Sequence, residues 1–262
     1  MCADKVRFLI GSVLDNAAVS ASSETSGLPA TNVKDTLIRK VYRTTGRGNE
    51  WVQLHASGGP TTINCLFIGK HSFSKNAVLL WQGNSTSTWA SGPALSITLS
   101  VATDARGAVV PKIGYYPAAA VTHEFWRLYI KDSGNASINL DIGRIAAGRY
   151  YEPARNLRDG FQIVHQDPSR ISMTAGRQGY ANIRPRYVEF TYSTFDMTEA
   201  VMDEFVGVFN AVGLHTAFVM SLDPESRPTH NTIYCQFLTN VTQEQRFLRQ
   251  YNLQEVRFSE KN

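Results

Sequence analysis

The chain has 262 residues, 43% of them apolar and 18% charged, with a formal net charge of +4; this composition describes a folded globular protein and excludes a disordered or collagen-like one. No apolar run approaches the roughly 18 residues that a spanning helix needs, so no membrane insertion is expected. Lys and Arg are spread through the chain with Asp and Glu among them, and no basic block stands out, so nucleic-acid binding is not expected, and a mildly basic surface that meets another protein accounts for the charge.

Cys2, Cys65 and Cys235 are scattered and form no CxxC pair, which argues against a disulfide framework or a zinc site and suits a reducing compartment. The length sits near the upper limit for one hydrophobic core, so two domains are expected. At the start, Lys5 and Arg7 lead into FLIGSVL in imitation of a signal peptide. Gly11 interrupts that apolar run and Asp15 closes it, so the segment reads as a first strand.

In chain order, strand-like segments lie at 6–10, 17–21, 51–55, 63–70, 77–81, 95–101, 125–131 and 138–145, separated by Gly, Pro, Asn and Ser clusters. Many short strands with polar turns and no convincing amphipathic helix predict an antiparallel sandwich of the jelly-roll kind. The clearest strand is FWRLYIK, where Trp126, Leu128 and Ile130 alternate with Phe125, Arg127, Tyr129 and Lys131; the first set is expected to face the core. The loop QGNSTSTWAS at 82–91 offers Trp89 and Asn84 with several hydroxyls. An aromatic face beside an amide is what a sugar site requires, and the alternative is a Trp that packs on the sandwich rim. Asn84, Asn135 and Asn240 each begin an Asn-x-Ser/Thr triplet.

The stretch DIGRIAAGRYYEPARNLRDGFQIV, 141–164, reads as the closing strand of one domain, a polar Arg-rich connector at 152–160 and the start of another. The expected division is therefore 1–151, a connector, and 161–262. Aromatic and Arg residues crowd this Pro-fixed segment. Tyr150, Tyr151, Glu152, Pro153, Arg155, Asn156 and Arg158 are candidates for a domain or subunit interface, the alternative being a solvated linker.

Beyond it, RYVEFTYSTF at 186–195 alternates with Val188, Phe190 and Tyr192 on one face, and Asp196 with Glu199 resembles a capping box. Val201, Met202, Phe205, Val208, Phe209 and Val212 repeat at helical spacing and end at Gly213. Strands are expected at 216–222, 232–238 and 255–259, and a short helix at 242–251. The unit is an α+β domain with one helix packed on a sheet.

No nucleophile elbow, phosphate loop, zinc-protease motif or dinucleotide fingerprint is present, and the six His residues are far apart. No enzyme activity, cofactor or metal is expected.

ASSETSGLPATNVKD, YRTTGRGNEWVQLH and TTINCLFIGKH resemble the galactose-binding-like sandwiches of the discoidin and coagulation-factor C-type group. The features that carry this are Pro29-Ala30, Asn32 to Asp35 and the strand Trp51-Val52-Gln53-Leu54. The resemblance covers most of 15–145 and implies a fold more than a ligand; His55-Ala56-Ser57-Gly58-Gly59 departs from the usual acidic or Leu-Gly turn. GRIAAGRYYEPARNLRDGF with RPRYVEFTYSTFDMTEAVMDEFVGVFNAVGLHTAFVMSLDP resembles distal-tail or minor-tail proteins of long-tailed bacteriophages. That resemblance implies a structural component of the virion, at the tail tip or baseplate and assembled in the host cytoplasm. It also implies a homo-oligomeric, hexameric ring joining the tail tube to the baseplate hub. Familiar distal tail proteins place the ring-forming domain first, whereas here the sandwich is N-terminal. The alternative function is a carbohydrate-binding accessory protein that contacts host glycans through the N-terminal sandwich.

Overall fold

The computed structural model describes residues 6–154, 162–173, 177–247 and 250–261. In chain order the first strands are β1 (Arg7–Leu9), β2 (Ala18–Ala21), β3 (Tyr42–Arg43), β4 (Glu50–His55), β5 (Thr61–Ile63), β6 (Cys65–Gly69) and β7 (Val78–Asn84). They are followed by β8 (Leu95–Leu99), β9 (Lys112–Tyr115), β10 (Val121–His123), β11 (Phe125–Lys131), β12 (Asp141–Ile142) and β13 (Ile145–Gly148). The remainder comprises β14 (Gln162–Gln166), β15 (Arg170–Met173), β16 (Gly179–Asn182), β17 (Tyr187–Thr198), α1 (Glu199–Val212), β18 (Phe218–Ser221), α2 (Pro228–Asn231), β19 (Thr232–Phe237), β20 (Thr242–Phe247) and β21 (Gln250–Glu260).

The chain divides into two compact units, 1–152 with 219–233 and 153–218 with 234–262. The division does not follow a single cut at the connector, because the segment 219–233 returns to the first unit. There Val219, Met220 and Ser221 pair antiparallel with β1, and the Tyr116 hydroxyl lies 3.1 Å from Thr232 Oγ1.

The first unit is an antiparallel β-sandwich. One sheet has the order β2-β4-β11-β7-β8 and the other β13-β6-β9. Alternation sets which side chains meet between them. Val52 and Leu54 on β4, Leu79 and Trp81 on β7, and Trp126, Leu128 and Ile130 on β11 share one core cluster with Leu66, Ile68, Ile113, Ile145 and Ala147 of the facing sheet. Trp126 is a core residue, as its strand pattern predicts: its ring stacks on Trp81 at 5.6 Å, and its indole N–H donates to Thr61 Oγ1 at 3.0 Å. The segment expected as one strand at 63–70 is two, β5 and β6. Each has its own partner, β10 and β9 respectively.

The second unit is α+β. Its strands lie in the order β19-β21-β17-β14, with β20 on the β21 side. Helix α1 buries Met202, Phe205, Val208 and Val212, the stripe that its 3.6-residue period requires. Phe205 stacks on Tyr192 at 5.3 Å and meets Phe237 edge-on at 6.4 Å. Gly213 ends the helix with φ 57°, a left-handed conformation that costs a glycine little.

Two local expectations are corrected. The helix cap is Thr198, without a side-chain capping bond, and not Asp196, because β17 runs on to Thr198 before the helix starts. Of the segment expected as a helix at 242–251, Thr242–Phe247 is instead strand β20, paired antiparallel with β21, which begins at Gln250. Pairing with a long neighbouring strand outweighs the helix preference of Gln, Glu and Arg residues.

Candidate functional site

The outward face of the five-stranded sheet gathers a row of polar side chains. Arg127 on β11 lies in register with Gln53 on β4 and Gln82 on β7. Gln53 in turn pairs with Ser20 on β2, and Gln82 with Ser96 on β8. Directly opposed residues share a face, so Ser20, Gln53, Arg127, Gln82 and Ser96 form one polar row across all five strands. The next row on this face is Trp51, Tyr129, Leu80 and Thr98.

Trp89 comes to this row from the loop between β7 and β8, which turns back over the sheet. The Arg127 guanidinium carbon lies 4.0 Å from the centre of the indole ring, a cation–π contact. The indole N–H donates to Gln53 Oε1 at 2.6 Å. Arg127 Nε and Nη2 both donate to Gln82 Oε1, at 2.8 and 2.6 Å. The ring is therefore held at one face and at its only polar atom, while Trp89 as a whole stays half-buried. Burial lowers the pKa of the Arg127 guanidinium, with the neighbouring Tyr129 opposing the shift; an arginine so placed keeps its charge. Tyr129 donates its hydroxyl to Asn49 Oδ1 at 2.7 Å.

Asn84 has a different place from Trp89. It is buried, its Nδ2 donates to the Thr88 carbonyl at 2.8 Å, and its Oδ1 accepts from the Ser85 N–H at 2.9 Å. It braces the loop that presents Trp89. Beyond it, His55 and Phe125 stack at 4.3 Å, 5° from parallel, and His55 Nε2 meets Glu124 Oε1 at 3.0 Å. Asn135, also first in a triplet, is buried and donates Nδ2 to Asp132 and to the Ser72 carbonyl.

Of the connector candidates, Tyr150 and Glu152 gather elsewhere in the first unit, around Arg7. Its Nε donates to Glu152 Oε2 at 2.8 Å and its Nη2 to Glu225 Oε1 at 3.0 Å. The guanidinium lies 4.5 Å from the Tyr150 ring centre. Tyr151 exchanges backbone hydrogen bonds with Phe8 at 2.8 and 2.7 Å and stacks on its ring at 6.2 Å. Tyr150, Tyr151 and Glu152 thus fasten the first strand to the end of the sandwich. Pro153 is buried. Arg155, Asn156 and Arg158 lie outside the described residues.

Among the described residues no group of three or more His, Cys, Asp or Glu is placed to hold a metal ion. Sequence reasoning names Trp89 but not Arg127, Gln53 or Gln82 as site residues. The available signal is the alternation of FWRLYIK and WVQLH, which turns Arg127 and Gln53 outward; the registration between those strands is not written in either.

No protein-family model matches the chain and no curated protein matches it. Among solved structures it is similar to chitosan-binding module 2, crystallised with chitotriose, of the chitosanase/glucanase from Paenibacillus sp. IK-5. That match has 18% identity and a TM-score of 0.39, covering 52% of this chain and 99% of the module. The lectin domain of lectinolysin, complexed with Lewis B antigen, is 14% identical with a TM-score of 0.41, over 53% of this chain and 96% of that one. The family 32 carbohydrate-binding module of C. perfringens NanJ, in complex with galactose, is 14% identical with a TM-score of 0.38, over 54% of this chain and 98% of the module.

Proposed function

We propose that the first unit is a glycan-binding module that works by contact and not by catalysis, with Trp89, Arg127, Gln53 and Gln82 as its binding platform. The observation that carries this is the fixed indole. One face rests on Arg127 and the N–H is committed to Gln53, so the ring is oriented before any ligand arrives. A preorganised aromatic surface beside amide groups suits a sugar, whose C–H face stacks while its hydroxyls hydrogen-bond. A glycan array probed with the whole protein tests the reading. Binding that falls at least about tenfold on Trp89→Ala, roughly 1.4 kcal/mol, with an unchanged melting temperature supports it; an array without any bound glycan overturns it.

A second reading concerns assembly, and the β15–β16 hairpin of the second unit favours it. Every described residue of that ribbon is exposed, with Ile171 at 79%, Met173 at 69% and Tyr180 at 64%. A two-stranded ribbon is marginal in water by itself, and exposed apolar surface of this kind marks contacts with other chains. With the tail-protein resemblance of the sequence, this supports a virion component at a phage tail tip or baseplate. It would form a hexameric ring between tube and hub, with the sandwich touching host glycans. Mass photometry at several concentrations and electron microscopy of particles test it; a monomer absent from particles overturns it.

A further inference from the structure

The glycan platform is electrostatically one-sided. The strand registers turn Ser20, Gln53, Gln82, Ser96, Arg127 and Lys131 to the outer face, and no residue that they place on that face is a carboxylate. Glu124, which adjoins Phe125 at the margin of this face, is engaged with His55. Besides its stacking on Trp89, Arg127 is held by the neutral amide oxygen of Gln82, and among the described residues no carboxylate pairs with it. Nη1 makes no hydrogen bond among the described residues, and Arg127 keeps partial exposure. A guanidinium edge left open in this way matches the planar fork of a carboxylate. Lys131 stands four residues further along the same strand face and is exposed. At about 3.3 Å per residue the two cations are roughly 13 Å apart, a separation that only an extended ligand can bridge.

We infer, resting on the glycan-binding reading above, that the platform selects acidic glycans, with a uronate carboxylate on the open edge of Arg127, a sugar ring on Trp89 and the oligosaccharide running towards Lys131. The charge of Arg127 then serves twice. Through its face it orients the indole, and through its edge it reads the ligand.

The test compares an oligogalacturonate with its fully methyl-esterified counterpart by calorimetry on the full chain, at low and high salt. The two share one backbone and differ only in charge. The acid form should bind about tenfold more tightly at low salt, the ratio should shrink as salt screens the contact, and Lys131→Gln should lower it several-fold. Equal binding of the two forms, or tighter binding of the ester, overturns the acidic selectivity and leaves the glycan platform standing. Failure of both oligomers, with neutral glycans still bound on the array, does the same. Failure of both together with an empty array overturns the platform and this inference alike.

Discussion

The Trp89 indole N–H reaches Gln53 Oε1 at 2.6 Å although the loop carrying Trp89 leaves from β7, with β11 standing between β7 and β4. Gln53 thereby fixes the ring against rotation over Arg127. Gln53→Ala removes the acceptor and leaves the cation–π contact. The hydrogen bond is worth about 1 kcal/mol net, so the melting temperature should move little. Affinity for a bound oligosaccharide should fall several-fold, because the ring must then be ordered by the ligand itself. Calorimetry beside a thermal melt checks this. Unchanged affinity would show that the orientation of the ring is irrelevant.

Phe205 anchors the second unit. It is fully buried, between Tyr192 and Phe237. Phe205→Ala should destabilise that unit by about 3–5 kcal/mol through lost transfer energy and the cavity left behind. Phe209, half-buried on the same helix, should cost less. Urea titration followed by near-ultraviolet circular dichroism reads both. Equal effects from the two substitutions would contradict the packing described.

His71 should make the first unit sensitive to acid. Burial pushes its pKa down from 6.5 to about 4, against the opposing effects of the Lys112 backbone and the Asp132 charge. The ring also stacks on Phe73 at 4.6 Å. As pH falls below 6.5 the unfolded chain takes up the proton first, so the unfolding free energy falls through this window and levels off below about 4. The loss is on the order of 3 kcal/mol. His71→Leu should remove that slope. Urea melts at neutral and acid pH compare the two proteins, and parallel losses in both would mean that His71 does not carry the effect.

What the sequence shows and hides follows from range. FWRLYIK reveals its core face because alternation is local, and Trp126, Leu128 and Ile130 are fully buried as it requires. The stripe ending at Val212 reveals α1 for the same reason. TQEQRF does not reveal β20, because only its partner β21 makes it a strand. β9 stays hidden because Gly114 interrupts its apolar pattern. The meeting of Trp89 with Arg127 depends on a loop path that no window of residues encodes. The Arg7 cluster joins Glu152 and Glu225 across more than half the chain, so Tyr150 and Glu152 are visible in sequence while their common partner Arg7 is not.

Gly114 explains how 219–233 seats on the sandwich. A Cβ at this position would stand 2.6 Å from Thr232 Oγ1 and 2.7 Å from the Pro228 carbonyl oxygen, closer than atoms pack. The Pro228 contact is with backbone, so it cannot be relieved by a side-chain rotation. Gly114→Ala should therefore push the segment away or distort β9, costing about 1–3 kcal/mol as overpacking does. Gly58 is the control, since a Cβ there meets nothing within 4 Å, and Gly58→Ala should stay within about 0.5 kcal/mol of the parent. Hydrogen exchange adds a local readout. In Gly114→Ala, amides of β1 and of 219–221, which bond to one another, should lose protection before those of β4 and β11 at the centre of the five-stranded sheet. Equal melting temperatures for the two Ala variants, with unchanged exchange at 219–221, would mean that the segment is not held against Gly114.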